Sequence, residues 1–551
     1  MIVPGNTIMI ADDPFTQSYA NLIDATYDVV DRIVLNGYFI LGQSPGGFRT
    51  WWRKLFGGDA ELDDTHLMRM AGRFSRRLRG WAEKNHIPVI DKAPGDRTCD
   101  IAPKLMPADP NFTGIFAVIV GRAPAPVWEV QRYGNNGINL RRKKPMPWVN
   151  HYSFQILDKE WGHVVIKLCG HPPFSAQIAL NGHEWVACKA RKEGLNFQKE
   201  ENCFTDVSNA PGLSEIADAL CSSSAIGRLE QVCERWIYTC LCFALDFRDQ
   251  EATQFRYSYS IYQIEFSRNL LFHRGWQMDD VFDSVINRTR APLRIKTVKK
   301  LFGCRPRRKA GRKPKCEVVV DRPVYDLTIF KVHFGRLTLK MYTKGERVLR
   351  IEAIAHNTPD LGCGKILSNF PRIVERLKSI MVRFLDVVHG LDASFVDDGT
   401  LDSLPLPSGE GSSKIGGIDL NKARMRAVFE AVVALAPSPD GFTAAALATA
   451  VQQITGLPYT SRQAAYDLKK LRAKQLVLRI PRSSRYQATS PGLRTIAALS
   501  ILREKILKPI LAAASSSKLE PPRNVATPID CQYHIVQTHF RDLLSLAGIA
   551  A

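Results

Sequence analysis

The order of apolar and polar positions changes period several times along the chain, and each change marks an element. Between Asp63 and Trp81, the apolar residues Leu67, Ala71, Phe74, Leu78 and Trp81 recur at helical spacing behind an Asp63-Asp64 cap, which predicts an amphipathic helix. Segments 87–90 and 114–120 are short apolar runs that read as buried strands. From Trp148 the period falls to two: 151–158, 163–169, 174–180 and 183–188 read as strands, with Asn181-Gly182 as a two-residue hairpin turn between the last pair. Residues 214–290 return to a mainly helical pattern. A three-strand meander follows over 324–333, 336–342 and 347–356, turned at Phe334-Gly335 and Lys344-Gly345, and a helix from about 373 to 388 closes it.

Near the C-terminus three helices and a hairpin read in order. Asn421 opens the first helix, with Met425, Val428, Phe429, Val432 and Val433 inward, and Thr443 caps the second, with Leu447, Val451 and Ile454 on one side. Thr460-Ser461-Arg462-Gln463 is a capping box, since Thr and Gln at that spacing satisfy each other's backbone donors. It opens a third helix over 461–474, with Ala465, Leu468 and Leu471 inward. Segments 476–480 and 485–489 pair around the tip Pro481-Arg482-Ser483-Ser484. The outward Arg462, Gln463, Tyr466, Lys469, Lys470 and Arg472, with Arg482 and Arg485 in the hairpin, suit nucleic acid: Arg and Gln reach base edges while Lys holds phosphates. The pattern resembles the winged-helix domains of bacterial regulators and mobile-element proteins. That resemblance implies a grip on duplex DNA, with a protein-docking winged helix as the alternative.

Together these elements predict an α+β, multidomain chain. The divisions are a basic N-terminal region (1–146), a hairpin-plus-helix region (147–290), a basic arm (291–316), the meander with its closing helix (317–393), a linker rich in Asp, Gly, Ser and Pro (394–417), the winged-helix region (418–512) and a tail (513–551). Charge sharpens the picture. Among 551 residues, 75 Lys and Arg face 54 Asp and Glu, a formal charge of +21, and a field of that sign attracts polyanions. Arg69, Arg73, Arg76 and Arg77 share one side of the first amphipathic helix, Arg141-Arg142-Lys143-Lys144 form a run, and the arm carries Arg307, Arg308, Lys309 and Arg312. DNA is the expected partner, duplex and in places single-stranded, with RNA as a further candidate. No apolar run reaches the roughly 18–20 residues that span a bilayer, and the first residues lack the order of a signal peptide, so a cytoplasmic protein without membrane contact is expected. The 12 cysteines include no C-x-x-C pair, which speaks against structural zinc.

Candidate chemistry sits in the meander. Alternation puts Leu337, Leu339 and Met341 on one face, and Arg336, Thr338, Lys340 and Tyr342 on the other; in the next strand Arg350 and Glu352 oppose Leu349, Ile351 and Ala353. Lys340, Tyr342, Arg350 and Glu352 then converge near Lys344. A carboxylate can hold a divalent ion, Lys and Arg can stabilise phosphate charge, and a tyrosine can attack phosphorus. The strings Leu339-Lys340-Met341-Tyr342-Thr343-Lys344-Gly345 and Leu349-Arg350-Ile351-Glu352 resemble a segment of plasmid and filamentous-phage replication initiators. The resemblance implies DNA nicking through a tyrosine and a metal; on the residues themselves Glu352 is the candidate ligand for Mg²⁺ or Mn²⁺, and Glu265 joins it only if the fold brings the two together. The paired histidines that many such nickases use are absent from the sequence. A cross-strand ladder of ion pairs is the plainer reading of the same residues. His151, His163, His171, His183 and Glu184 form a second candidate metal set, and Tyr257, Tyr259, Tyr262, Gln263 and Glu265 a third cluster whose rings can stack on bases. Trp51-Trp52-Arg53-Lys54 adds stacking potential, or a buried Trp pair. The functional expectation is a mobile-element or plasmid-type DNA-processing protein. A non-enzymatic regulator or origin binder, or an RNA-binding protein of a ribonucleoprotein, are the alternatives.

Overall fold

The computed structural model describes residues 10–134, 137–290, 329–334, 337–392, 398–410, 413–438 and 440–503, with a few more between 531 and 542. Its strands are β1 (Ile23–Phe39), β2 (Val89–Asp91), β3 (Gly114–Pro124), β4 (Trp128–Tyr133), β5 (Gly137–Arg142), β6 (Trp148–Asp158), β7 (Gly162–Cys169), β8 (Ala176–Asn181), β9 (Phe197–Glu200) and β10 (Cys203–Val207). Then come β11 (Tyr257–Phe272), β12 (Ile329–Phe334), β13 (Leu337–Lys344), β14 (Val348–Ala355), β15 (Ser408–Glu410), β16 (Ser413–Ile415), β17 (Phe442–Thr443), β18 (Val477–Arg479) and β19 (Arg485–Ala488). Ten of them form one sheet in the order β12-β13-β14-β11-β1-β8-β7-β6-β3-β2. All of its neighbours run antiparallel except β2 and β3, which are parallel. Helix and sheet are thus mixed, as an α+β pattern requires.

The centre of this sheet is the part that periodicity hides. β1 pairs with β11 over almost its whole length and with β8 from Arg32 to Gly37. Val29, Val30, Ile33, Val34 and Leu35 are all buried, so side chains on both faces are covered and the apolar–polar alternation is erased. β11 lies inside the stretch that reads as helical. Its Leu270, Leu271 and Phe272 are consecutive and all buried, for the same reason.

Asn181-Gly182 is not a hairpin turn. Asn181 caps the helix Gly182–Lys192, its side chain accepting from His183 N, and the predicted strand over 183–188 is that helix. Glycine is needed there for closeness: a Cβ at Gly182 would lie 1.7 Å from the Val30 carbonyl oxygen, so only glycine lets the helix start against β1.

The helices Gly275–Arg290 and Phe370–Asp392 pack on β14 and β11, and the β9–β10 hairpin lies on the opposite, polar side, where the Asn202 carbonyl accepts from Arg350 at 2.6 Å. Phe370–Asp392 also packs against Ser490–Ile501. Arg383 on that helix donates to the carbonyls of Ala436 at 3.1 Å and Ala488 at 2.8 Å. A single apolar core therefore continues from the sheet into the C-terminal elements.

Those elements are the helices Ala423–Leu435, Ala444–Thr455 and Ser461–Ala473 with a small sheet in the order β17-β19-β18. The caps at Thr443 and Thr460 form as the sequence predicts, including the reciprocal Thr460–Gln463 box. One inward position shifts: Ala464 is buried and Ala465 is exposed, because buried Asp467 turns the helix toward Arg424 and Tyr459. Within 394–417, the described residues hold a short helix, Asp398–Ser403, and the β15–β16 hairpin, which lies against Ser461–Ala473. Among the described residues no helix is long and apolar enough to cross a membrane.

Candidate functional site

The polar face of β13 and β14 assembles as alternation predicts. Lys340 stands opposite Glu352, and Tyr342 opposite Arg350. Glu352 accepts from Arg350 Nε at 2.8 Å and from Tyr342 at 2.6 Å on Oε1, and from Lys340 at 3.3 Å on Oε2. Lys344 turns away to Asn202 Oδ1 and to Glu201, the latter at 3.1 Å.

Two partners were not visible in the sequence. Asp31 on β1 receives Arg350 Nη2 at 2.5 Å, and His183 Nδ1 lies against its other oxygen. Both Asp31 and Arg350 are fully buried. The signal for Asp31 was there in weak form, a lone acid inside the run Val29-Val30-Asp31-Arg32-Ile33-Val34. Its partner Arg350 lies 319 positions away, a separation that no local pattern bridges.

The electrostatics follow from burial and pairing. Burial alone pushes the Asp31 carboxyl up, yet the Arg350 guanidinium and the His183 imidazole outweigh it and hold the group at about 2. Burial lowers His183 despite its acidic neighbour. Glu265, two strand positions from the Glu352 partner Ser267, is pushed up by burial and then by the charges of Asp31 and Glu352, with Gln263 donating to it at 2.8 Å. Burial pushes the Tyr342 phenol well up. Such a phenol, already donating to a carboxylate, is poorly set to become an attacking phenolate. A divalent ion at Glu352 would have to displace Arg350 and Lys340 from both carboxylate oxygens. The arrangement as built holds charge in place, as a cross-strand ion-pair ladder does.

The other candidate sets separate. The rings of His151, His163 and His171 hydrogen-bond to the Val149 carbonyl at 3.2 Å, Gln155 at 3.0 Å and the Pro172 carbonyl at 2.9 Å, and Glu184 pairs with Lys199 at 2.7 Å. Among the described residues no three of His, Cys, Asp and Glu come together in a metal-ligating group. Trp51 and Trp52 are buried, as are Tyr257 and Tyr259, which removes four rings from any stacking surface; Tyr262 stays exposed. On Asp64–Lys84, Arg73 donates to the Ala244 carbonyl at 3.2 Å and Arg77 pairs with Asp246 at 3.8 Å, while Arg69 approaches His66 at 3.4 Å and Arg76 is exposed. Arg307, Arg308, Lys309 and Arg312 lie outside the described residues.

The C-terminal elements present a different surface. Arg462 and Tyr466 are exposed on Ser461–Ala473, and Lys469 and Arg472 are half-buried. Gln463 spends its amide oxygen on the Thr460 backbone at 2.8 Å, leaving only its NH₂ for a ligand. Lys470 sits over the Tyr466 ring, 5.0 Å from its centre, on the side facing Gly416. Arg482 is exposed at the hairpin tip in the left-handed region, φ 53°, while Arg485 donates to the Gly441 carbonyl at 3.1 Å. Comparison with family models, curated proteins and solved structures finds no match to this chain.

Proposed function

We propose that this chain binds duplex DNA, with residues 418–489 acting as a winged helix, and that it serves as a site-recognition protein of mobile-element or plasmid type. The observation that carries this reading is the basic outer side of Ser461–Ala473 and the neighbouring hairpin, where Arg462, Arg479 and Arg482 are exposed and Lys469, Lys470 and Arg472 half-buried, in a chain of net charge +21. Arg462 and Lys469 are the predicted contacts, the first toward base edges and the second toward phosphate. Fluorescence anisotropy with duplex DNA, single-stranded DNA and RNA tests it. Duplex should bind tightest, and Arg462→Ala or Lys469→Ala should each cost roughly 1 kcal/mol, with site preference relaxed more by the former. Preference for RNA, or indifference to both substitutions, would overturn it.

A second reading, metal-dependent strand cleavage, draws support from one feature. Three carboxylates, Asp31, Glu265 and Glu352, lie near enough on neighbouring strands for the first and third to raise the second. In that reading Glu265 and Glu352 would hold Mg²⁺ or Mn²⁺, which requires Lys340, Tyr342 and Arg350 to release Glu352 first. Incubation with single- and double-stranded DNA and either ion should then give nicks or an adduct that Glu265→Gln abolishes. Absence of cleavage across varied substrates leaves a non-enzymatic binder.

A further inference from the structure

Between the Phe370–Asp392 helix and the β18–β19 hairpin lies a groove of about 580 Å³, lined by Arg376, Ser379, Arg383, Ser483, Arg485 and Gln487 among others. The hairpin tip borders a second, open hollow of about 420 Å³, from Arg479 to Ser484, and Ile480 and Ser483 line both. Cations thus flank both hollows, and one flank belongs to the helix that packs on the ten-stranded sheet.

The first groove gathers three guanidiniums. Arg383 and Arg485 are steadied by carbonyls, those of Ala436 and Ala488 for the former and Gly441 for the latter. A carbonyl fixes a guanidinium without cancelling its charge. Two acids share the lining, Asp386 and Asp440. Burial pushes the Asp386 carboxyl up, which weakens it as a counter-charge. Asp440 pairs with Arg376 but is 57% exposed, the kind of surface pair that a stronger anion displaces at little cost. Arginine forks with serine hydroxyls beside them are the donor set that phosphate oxygens take.

We propose that this groove takes a backbone phosphate of the same duplex that Ser461–Ala473 contacts, so that the sheet-packed helix shares the grip through Arg376. The inference rests on the duplex-binding reading above. Its test uses the full chain and a labelled duplex, with affinity measured across a salt series. Arg376→Gln should bind about fivefold to tenfold weaker, and its plot of log K against log salt should flatten by roughly 0.9, the loss of one phosphate contact. Asp440→Asn should do the reverse and tighten binding about twofold to threefold, because it removes the competing carboxylate. If the Arg376–Asp440 pair were only a strut between helix and hairpin, both substitutions would loosen binding, and thermal unfolding of each variant would show the same loss.

The proposal is overturned if Arg376→Gln leaves affinity and salt slope unchanged while Lys469→Ala weakens binding, or if Asp440→Asn weakens it. In those cases the duplex reading stands alone. If the wild-type chain does not bind duplex at all, both fall together.

Discussion

The sheet and the C-terminal elements carry the same residue types, Arg, Lys, Tyr and an acid, and use them in opposite ways. Around Arg350 each guanidinium nitrogen has an acceptor, Asp31, Glu352 or the Asn202 carbonyl, and water is excluded. On Ser461–Ala473 and the hairpin tip, Arg462 and Arg482 stand in solvent. A cation in the first setting is committed to the fold; one in the second is available to a polyanion. Net charge counts both alike, and only the second population bears on binding. The Asp64–Lys84 helix shows the division within a single element, since Arg73 is tied to the Ala244 carbonyl while Arg76 is exposed.

The two settings differ most at Arg350. Arg350→Leu leaves Asp31 with His183 and Glu352 with Tyr342 and Lys340 but takes the guanidinium from both buried carboxylates, and should lower folding stability by about 3–5 kcal/mol, the cost of breaking a buried ion pair. Chemical denaturation measures it. A loss no larger than that of Arg462→Ala, which should leave stability within about 0.5 kcal/mol, would erase the distinction.

Acid provides the next largest effect. Because the folded Asp31 carboxyl is held at about 2, below its unfolded value, its contribution is fully present above the ordinary carboxylate range and is lost as pH falls toward about 2. The contribution is roughly 2 kcal/mol. The drop in unfolding free energy between pH 5 and pH 2 should shrink in Asp31→Asn, measured by denaturation at each pH. An unchanged pH profile would show that the Asp31–Arg350 pair is not formed.

Glu265 should give the smallest change, of opposite sign. Its folded carboxyl is raised by burial and by Asp31 and Glu352, so its ionisation opposes folding as pH rises through the raised value. Glu265→Gln should therefore raise the thermal midpoint at neutral pH and lose that advantage below the ordinary glutamate range. A lowered midpoint at neutral pH would mean that Glu265 is needed as an anion.

The two regions also differ in how far they could be read from sequence. β13 and β14 keep one polar face, so Lys340, Tyr342, Arg350 and Glu352 could be placed together from alternation alone. The C-terminal helices announce themselves through Thr443 and the Thr460–Gln463 box, because capping is a local event. β1 and β11 were hidden by burial on both faces, and Asp31 by its distance along the chain from Arg350. Asn181-Gly182 misled because one dipeptide serves two purposes: the turn residues of a hairpin are also a helix cap and a close approach to Val30.

The apolar core shared between the sheet and the C-terminal elements makes point substitutions a cleaner test of binding than deletion, since removing 418–489 would take the Ala436 and Ala488 carbonyls from Arg383 and uncover the face of Ser490–Ile501 that Ala423–Leu435 packs on. The most direct measurement is therefore the affinity of the full chain for duplex DNA across a salt series, wild type against the Arg462→Ala, Lys469→Ala double variant. Duplex binding through these side chains gives steep salt dependence for the wild type and a loss of roughly 2 kcal/mol in the double variant, with thermal stability unchanged. Equal affinities and equal salt slopes for the two proteins would contradict it.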